Sequence, residues 1–150
     1  MTQQTTRAED MRDLVLFQVD DMICGLDTSL IQEINKQTEI TVVHRAPDYV
    51  RGVMNLRGEI ATVIDLRKKF SLESLDINKE MKVVVVRQGS ENIGLLVDSV
   101  TDVVMADSRD IAPPPSNVSG IPGIFFEGIY TMKEDLVAVL NVDELLRTGE

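Results

Sequence analysis

Few residues of this chain are of a type that performs chemistry. The sequence contains one cysteine, Cys24, and one histidine, His44, and it has no tryptophan. His44 ends an apolar run next to Arg45, and Cys24 lies between Ile23 and Gly25 in a segment with strand character. Because neither side chain belongs to a motif that supplies a base or a second metal ligand, we expect an exposed histidine and a buried, inert thiol.

The acidic residues and glycines also lack the spacing of catalytic motifs. Asp20-Asp21 and Glu134-Asp135 lie in predicted hairpin turns, where acidic side chains commonly hydrogen-bond the local backbone. The sequence contains no HExxH, CxxC, GxSxG or Walker A motif, and its glycines do not form GxGxxG. The residues therefore favour a protein with no enzymatic activity, no metal and no cofactor. The alternative is a small β-barrel enzyme or ligand-binding protein, which would need a convergent polar pocket.

Length and charge narrow the class of protein further. The 150 residues, 43% of them hydrophobic, fit one globular domain, and a net charge of -10 argues against nucleic acid as a partner. No apolar run approaches the roughly 20 residues that span a bilayer, and no signal peptide is visible, so we expect a cytoplasmic protein without direct membrane insertion. Residues 1–35 sum to -5, residues 88–150 to -8 and residues 36–87 to +3. The basic middle either steers a partner or is a solvated mixture of charges.

Hydrophobic alternation predicts a chain built mainly of short strands. We expect brief helices at Thr28–Asn35, Leu66–Phe70 and Val142–Arg147, a flexible segment over residues 1–12, and a proline-rich surface loop after residue 112. Short strands without long helices between them favour an all-β barrel or sandwich. The predicted strands are Leu14–Val19, Met22–Asp27, Thr38–Val43, Arg51–Leu56, Glu59–Asp65, Met81–Arg87, Ile93–Val97, Val100–Ala106, Ile124–Tyr130 and Leu136–Leu140.

The most informative stretch is VRGVMNLRGEIATVIDLR, residues 50–67. It predicts two strands joined by a tight turn at Gly58. Arg57 stands in that turn, where its planar guanidinium can bind backbone carbonyls or a carboxylate. The residues alone leave open whether this is only a well-packed hairpin or a turn that binds a partner.

Several segments of the chain resemble the CheW-like domain family. The run GVMNLRGEIATVIDL is similar to the family pattern G-V-x-N-L-R-G-x-I-x-P-V-x-D-L, with Thr62 in place of the usual proline. Gly94–Val100 resembles G-x-x-V-D-x-V, and Gly128-Ile129 with Leu140–Leu146 resembles the closing segments, with Asn141 in place of the usual aspartate. The resemblance extends in order over residues 13–148, which we expect to form a single domain.

This resemblance implies an all-β fold of two five-stranded SH3-like barrels that share a core, with short helices. It also implies a non-catalytic adaptor in chemotaxis signalling, without a cofactor. Family members of this kind link the cytoplasmic tip of chemoreceptors to the histidine kinase CheA by binding the CheW-like regulatory domain of the kinase, within arrays at the membrane. The alternative within the family is a regulatory or adaptor module of a CheV-type protein or of another two-component pathway.

The resemblance also implies roles for individual residues. Glu33 and Arg57 match a carboxylate–guanidinium pair that either supports the fold or takes part in binding. The implied receptor-binding groove consists of Val15, Thr28, Ile31, Ile34 and Val100, although periodicity alone favours core positions on a helix for Ile31 and Ile34. The implied kinase-binding surface consists of Ile40, Val42, Val43, Arg45, Arg51, Met54 and Ile60.

Overall fold

The computed structural model describes residues 10–36 and 40–147. Within them the chain is mainly β-structure, with two short α-helices, α1 (Leu66–Lys69) and α2 (Val142–Leu146). The strands are β1 (Met11–Val19), β2 (Met22–Asp27), β3 (Ile31–Lys36), β4 (Val50–Leu56), β5 (Glu59–Asp65), β6 (Lys82–Gln88), β7 (Glu91–Val97), β8 (Ser99–Asp107), β9 (Ile111–Ala112), β10 (Asn117–Val118), β11 (Ile121–Pro122), β12 (Phe126–Met132) and β13 (Asp135–Leu140).

The first sheet, which we call barrel 1, has the strand order β8-β1-β2-β13-β12-β9. β8 and β9 lie at its two ends but are separated only by a single 3-10 turn, Ser108–Asp110. They therefore act as one bent strand that pairs with β1 and then with β12, and this bend curls the sheet into a barrel with five strand positions. One face encloses a small core of Leu14, Leu16, Ala106, Val137 and Val139.

The second sheet, barrel 2, has the strand order β3-β6-β7-β5-β4. Thr41, which follows β3 in the chain, pairs with Val53 of β4 at the opposite edge. Gly52 allows this closure, because a Cβ atom at that position would lie 2.2 Å from the carbonyl oxygen of Thr41. Barrel 2 encloses a core of Met54, Ala61, Val63, Met81, Val83, Val85 and Leu96.

A third and larger core lies where the two barrels meet. Successive residues of a strand point to opposite faces, so Val83 and Val85 fill barrel 2 while Val84 and Val86 face the shared core. Barrel 1 contributes Val15, Phe17, Cys24, Leu26, Ala138 and Leu140 to the same core, and the two helices add Leu66 and Leu145. The expected fold of two barrels with a shared core is confirmed, and β6 is the buried central strand that its β-branched run predicts.

Most predicted elements are present, with a few corrections. The hairpin of β1 and β2, the hairpin of β4 and β5, and the short helices at Leu66 and Val142 are confirmed. Asn141 caps α2 by accepting a hydrogen bond from the N–H of Glu144 at 3.2 Å. β1 begins at Met11, inside the segment expected to be flexible, and residues 1–9 of that segment lie outside the described residues.

The predicted helix Thr28–Asn35 is wrong. Asp27 accepts a hydrogen bond from the N–H of Ser29 and caps a single 3-10 turn, after which residues 31–36 pair with β6. The strand predicted at Thr38–Val43 is also wrong where it can be judged. Residues 38 and 39 lie outside the described residues, and of residues 40–43 only Thr41 takes part in a β-bridge.

The predicted proline-rich loop holds the two-residue strands β10 and β11, which pair with each other. Neither described helix is long and apolar enough to cross a membrane.

Candidate protein-binding surfaces

The Asn55–Gly58 turn presents Arg57 at the tip of the β4–β5 hairpin. Arg57 and Gly58 both have positive φ angles, 51° and 88°, as a two-residue turn between twisted strands requires. The side-chain oxygen of Asn55 accepts the N–H of Gly58 at 2.9 Å and fixes the turn. Arginine is an uncommon residue in the left-handed region, so this position stores some backbone strain.

Arg57 forms the expected ion pair with Glu33. Its Nη2 lies 2.5 Å from Oε2 of Glu33, and the pair links strand β3 to the β4–β5 turn across the closing seam of barrel 2. The side chain of Arg57 is 81% exposed. An ion pair this accessible to water contributes only about 0–1 kcal/mol to folding, so the fold alone does not account for Arg57.

Ile31 and Ile34 lie on one face of strand β3, and not on one face of the helix that the sequence predicts. Residues three apart in a regular strand point to opposite faces. A β-bulge between Ile31 and Glu33 adds one residue to the strand, so Ile31 pairs with Val86 and Ile34 pairs with Val84, which both face the shared core. Ile31 packs against that core, whereas Ile34 remains exposed at the sheet edge.

The other residues of the implied receptor groove lie on barrel 1. Val15 is buried in the shared core. Val100, at the start of β8, is partly buried against the same core. Thr28 is exposed in the 3-10 turn before β3. Ile31 of β3 and Val100 of β8 are both partly buried and pack against the shared core.

Two residues that the sequence reasoning missed extend this edge. Val103 and Met105 of β8 are exposed, and Val103 pairs with Val15 while Met105 pairs with Asp13. Their side chains therefore lie on the side of the sheet that faces the shared core. The sequence predicts the strand. Because Val103 and Val104 are adjacent and point to opposite faces, the apolar pattern does not indicate which face is exposed.

Three apolar residues of the implied kinase surface are exposed on barrel 2. Ile60 is 61% exposed at the end of the β4–β5 hairpin, and Val42 and Val43 are also exposed. Ile40 packs partly against the core of barrel 2, and Arg45 is exposed with a left-handed φ of 66°.

Two residues of the implied kinase surface have other positions. Met54 is only 3% exposed and belongs to the core of barrel 2, because it faces inward opposite Ala61. Arg51 is held by Asp65, with Nη1 to Oδ2 at 3.0 Å, and by the carbonyl oxygen of Leu75 at 3.0 Å. Met54 therefore offers no surface to a partner, and Arg51 positions the exposed segment that contains Leu75.

A second arginine of the same sequence stretch forms a charged junction between the barrels. Arg67 of α1 binds Asp98 through two hydrogen bonds, Nε to Oδ1 at 2.9 Å and Nη2 to Oδ2 at 2.7 Å. Asp98 also accepts the N–H of Asp20, in the β1–β2 turn of barrel 1, at 2.8 Å. The hydrogen bonds to Asp98 raise the pKa of Arg67 above its ordinary value. Apart from the match of Val97-Asp98 to the family motif, no sequence pattern predicts this pair.

Comparison with known proteins agrees with this architecture. A profile of the CheW-like domain family matches residues 13–150. The chain belongs to the CheW-like domain family. It is 32% identical to the chemotaxis protein CheW of Helicobacter pylori over 139 residues, covering 93% of this chain and 84% of that protein. Identity to the chemotaxis protein CheW of Klebsiella aerogenes is 28% over 139 residues, with the same coverage of both chains.

A solved structure shares the fold over nearly the whole chain. The scaffolding protein TtCheW from Thermoanaerobacter tengcongensis superposes with a TM-score of 0.86 at 28% identity, covering 99% of this chain and 95% of that one. Together with the family match, this confirms the predicted function of a chemotaxis scaffold or adaptor. Thr62, the departure from the family motif, pairs with Val53 on one side and Ile93 on the other, inside the sheet.

Proposed function

We propose that this protein is a non-catalytic adaptor that joins the cytoplasmic tip of chemoreceptors to the CheW-like regulatory domain of the histidine kinase CheA. The observation that supports this proposal most directly is a pair of separate exposed apolar surfaces on an acidic molecule. One surface borders the shared core at β3 and β8, and the other lies on barrel 2 around Ile60. Surfaces of this kind serve protein partners rather than catalysis.

The receptor tip binds the surface at the shared core. A helical partner needs an elongated apolar groove with anchors from both walls. Ile31 and Ile34 supply one wall and Val100, Val103 and Met105 supply the other, while Thr28 lies at the rim and the buried Val15 supports the floor.

The kinase domain binds barrel 2. Its contacts are Ile60, Val42 and Val43, with Ile40 partly beneath them and Arg45 at the rim. The exposed Leu75 extends the same barrel's apolar surface, and Arg51 holds that segment through its carbonyl oxygen. The basic balance of residues 36–87, most of which belong to barrel 2, then favours the approach of an acidic partner.

Arg57 acts in binding more than in folding. Its pair with Glu33 is exposed and its backbone is strained, yet it is held at the tip of the hairpin next to the kinase surface. With its partners bound, the protein is located in the cytoplasm beside the receptor arrays of the membrane.

Co-sedimentation with receptor signalling fragments and with CheA tests these assignments. Ile34→Lys and Met105→Lys place a charge on the two walls of the receptor groove, and Ile60→Lys places one on the kinase surface. Ile124→Lys makes the same change at an exposed isoleucine in the turn before β12. All four positions are at least partly exposed, so the variants should fold.

The groove variants should lose receptor binding by at least about tenfold and retain CheA, Ile60→Lys should do the reverse, and Ile124→Lys should retain both. Failure of the unmodified protein to bind either partner would show that the coupling function is wrong. Equal losses in Ile34→Lys and Ile60→Lys would show that the two surfaces are not separate sites.

A further inference from the structure

A groove on barrel 1 has no role in the proposed function. It lies between the β1–β2 turn, the β12–β13 turn and the β10–β11 hairpin, and its volume is about 660 Å³. We call it the acidic groove, because its rim carries Asp20, Asp21, Glu134 and Asp135. That volume is within the range of sites that hold several side chains of a ligand.

The parallel pairing of β2 with β13 creates this rim. Ile23 pairs with Val137 and Cys24 pairs with Ala138. Because the two strands run in the same direction, the turns that precede them lie side by side. Two acidic pairs from opposite ends of the chain, Asp20-Asp21 and Glu134-Asp135, are thus brought to the same edge of the sheet.

Apart from Lys133, which adjoins Glu134 in the β12–β13 turn, little local charge compensates these carboxylates. Asp20 lies 3.5 Å from Nη2 of Arg67, which Asp98 already holds at 2.7 Å. Among the described residues no salt bridge involves Asp21, Glu134 or Asp135. Like charges on neighbouring strands are unfavourable, and a cationic ligand would relieve this repulsion.

The floor of the acidic groove is apolar. Met22, Ile23, Val118 and Ile129 line it, and Leu136 is 63% exposed at its side. A simple cation gains no binding energy from apolar side chains, and the carboxylates of the rim repel anionic lipid and nucleic acid. An apolar floor between carboxylates suits a polypeptide whose basic and apolar side chains alternate, so that one face lies on the floor and the other reaches the rim.

We propose that the acidic groove binds a basic, amphipathic segment of a partner protein, with apolar side chains against Leu136 and Ile23 and lysine or arginine side chains at Asp21, Glu134 and Asp135. This site is separate from the receptor groove and from the kinase surface. The net charge of -10 adds a long-range attraction for such a segment and disfavours a second copy of this chain as the ligand.

Fluorescence anisotropy with two labelled peptides tests the proposal. One peptide alternates lysine with leucine, and the other alternates glutamate with leucine. The site variant Asp21→Asn/Glu134→Gln/Asp135→Asn removes three exposed charges from the rim, and the control variant Asp76→Asn/Glu80→Gln/Glu91→Gln removes three exposed charges elsewhere. Both variants change the net charge equally. Leu136→Ser tests the apolar floor, with Ile124→Ser, at an exposed isoleucine outside the groove, as its control.

The unmodified protein should bind the lysine peptide and not the glutamate peptide. Affinity should fall at least about tenfold in the site variant and in Leu136→Ser, and less than about twofold in both controls. Absence of binding to the unmodified protein would overturn the proposal. Equal losses of affinity in the two charge variants would also overturn it, because overall net charge alone would then explain the binding.

Two further measurements keep the proposal open to refutation. Removal of like charges should raise the thermal midpoint of the site variant above that of the control variant, and a lower midpoint would show that the carboxylates are already compensated. Sedimentation velocity should show no self-association that depends on the rim. Self-association that the site variant abolishes would instead assign the acidic groove to a second copy of this chain.

Discussion

Arg57 and Arg67 lie ten positions apart in one sequence motif, yet their ion pairs have opposite surroundings. Arg57 is 81% exposed at a hairpin tip, and it reaches Glu33 through one hydrogen bond. Arg67 is 13% exposed at the junction of the barrels, and it binds Asp98, itself 17% exposed, through two. At the hairpin tip, water can replace the ion pair with little loss of folding stability. At the junction, loss of one partner would leave a partly buried charge, which costs more. We therefore propose that similar residue types in one sequence stretch serve binding in one place and folding in the other.

The largest expected effect is the loss of the junction pair. Arg67→Ala should destabilise the protein by about 3–5 kcal/mol, because Asp98 would keep its partly buried charge without its main partner. Chemical denaturation measures this change. Arg147→Ala removes an exposed i,i+3 pair with Glu144 and should change stability by less than about 0.5 kcal/mol. Similar losses in the two variants would abolish the distinction between the junction and the surface.

Cys24 reports directly on the junction. Burial, and to a smaller extent the charge of Asp98, raises the pKa of its thiol, and the side chain lies in the shared core. The native protein should therefore resist thiol reagents, and Arg67→Ala should accelerate labelling by at least about 100-fold if labelling follows opening of the shared core. Arg57→Ala should leave the rate nearly unchanged. Rapid labelling of the native protein would show that the barrels separate easily.

A third cluster of ion pairs, around Arg12, is intermediate in its exposure to water. Arg12 binds Asp27 at 2.8 Å and also pairs with Glu127, which joins β1, the end of β2 and β12. Burial raises the pKa of Asp27, but the N–H of Ser29 and the guanidinium of Arg12 outweigh it, so the pKa lies below its ordinary value.

The lowered pKa of Asp27 predicts a pH dependence of stability. The unfolded chain binds the proton more readily than the folded protein, so the contribution of Asp27 is complete above about pH 5 and declines as the pH falls through the folded pKa. Asp27→Asn keeps a capping side chain but loses the ion pair with Arg12, so it should cost about 1 kcal/mol near neutral pH and less at pH 2.5. Asp76→Asn, at an exposed carboxylate outside the acidic groove, is the control. A cost for Asp27→Asn that does not vary with pH would contradict this prediction.

The smallest effect on stability is expected at the hairpin tip. Arg57→Ala should change the free energy of unfolding by about 0–1 kcal/mol and still reduce CheA binding. Arg57→Lys keeps the charge but not the planar guanidinium, so it separates the two properties. If Arg57→Ala unfolds the protein, the exposed pair is structural after all, and the contrast with Arg67 is lost.

Where patterns are local, sequence reasoning was sufficient. The β4–β5 hairpin follows from alternation around Arg57-Gly58, and α2 follows from Asn141 before an apolar pair. The helix predicted at Thr28–Asn35 failed because isoleucines three apart also share a face in a strand with a bulge. That bulge forms only against β6, which lies far along the chain. Met54 was misplaced for a related reason, since the inner face of β4 is defined by Ala61 and the rest of the barrel 2 core.

The sequence by itself determined most of the strands, most of the turns, the family and the lack of catalytic motifs, because each depends on residues close together in the chain. Apart from the expected Glu33–Arg57 pair, tertiary structure decided which charges meet. Arg67 pairs with Asp98 because the two barrels meet at the junction. Asp20-Asp21 and Glu134-Asp135 come together because β2 and β13 pair in parallel. Electrostatic energy depends on distance and burial in three dimensions, and neither can be read from the spacing of residues in the chain.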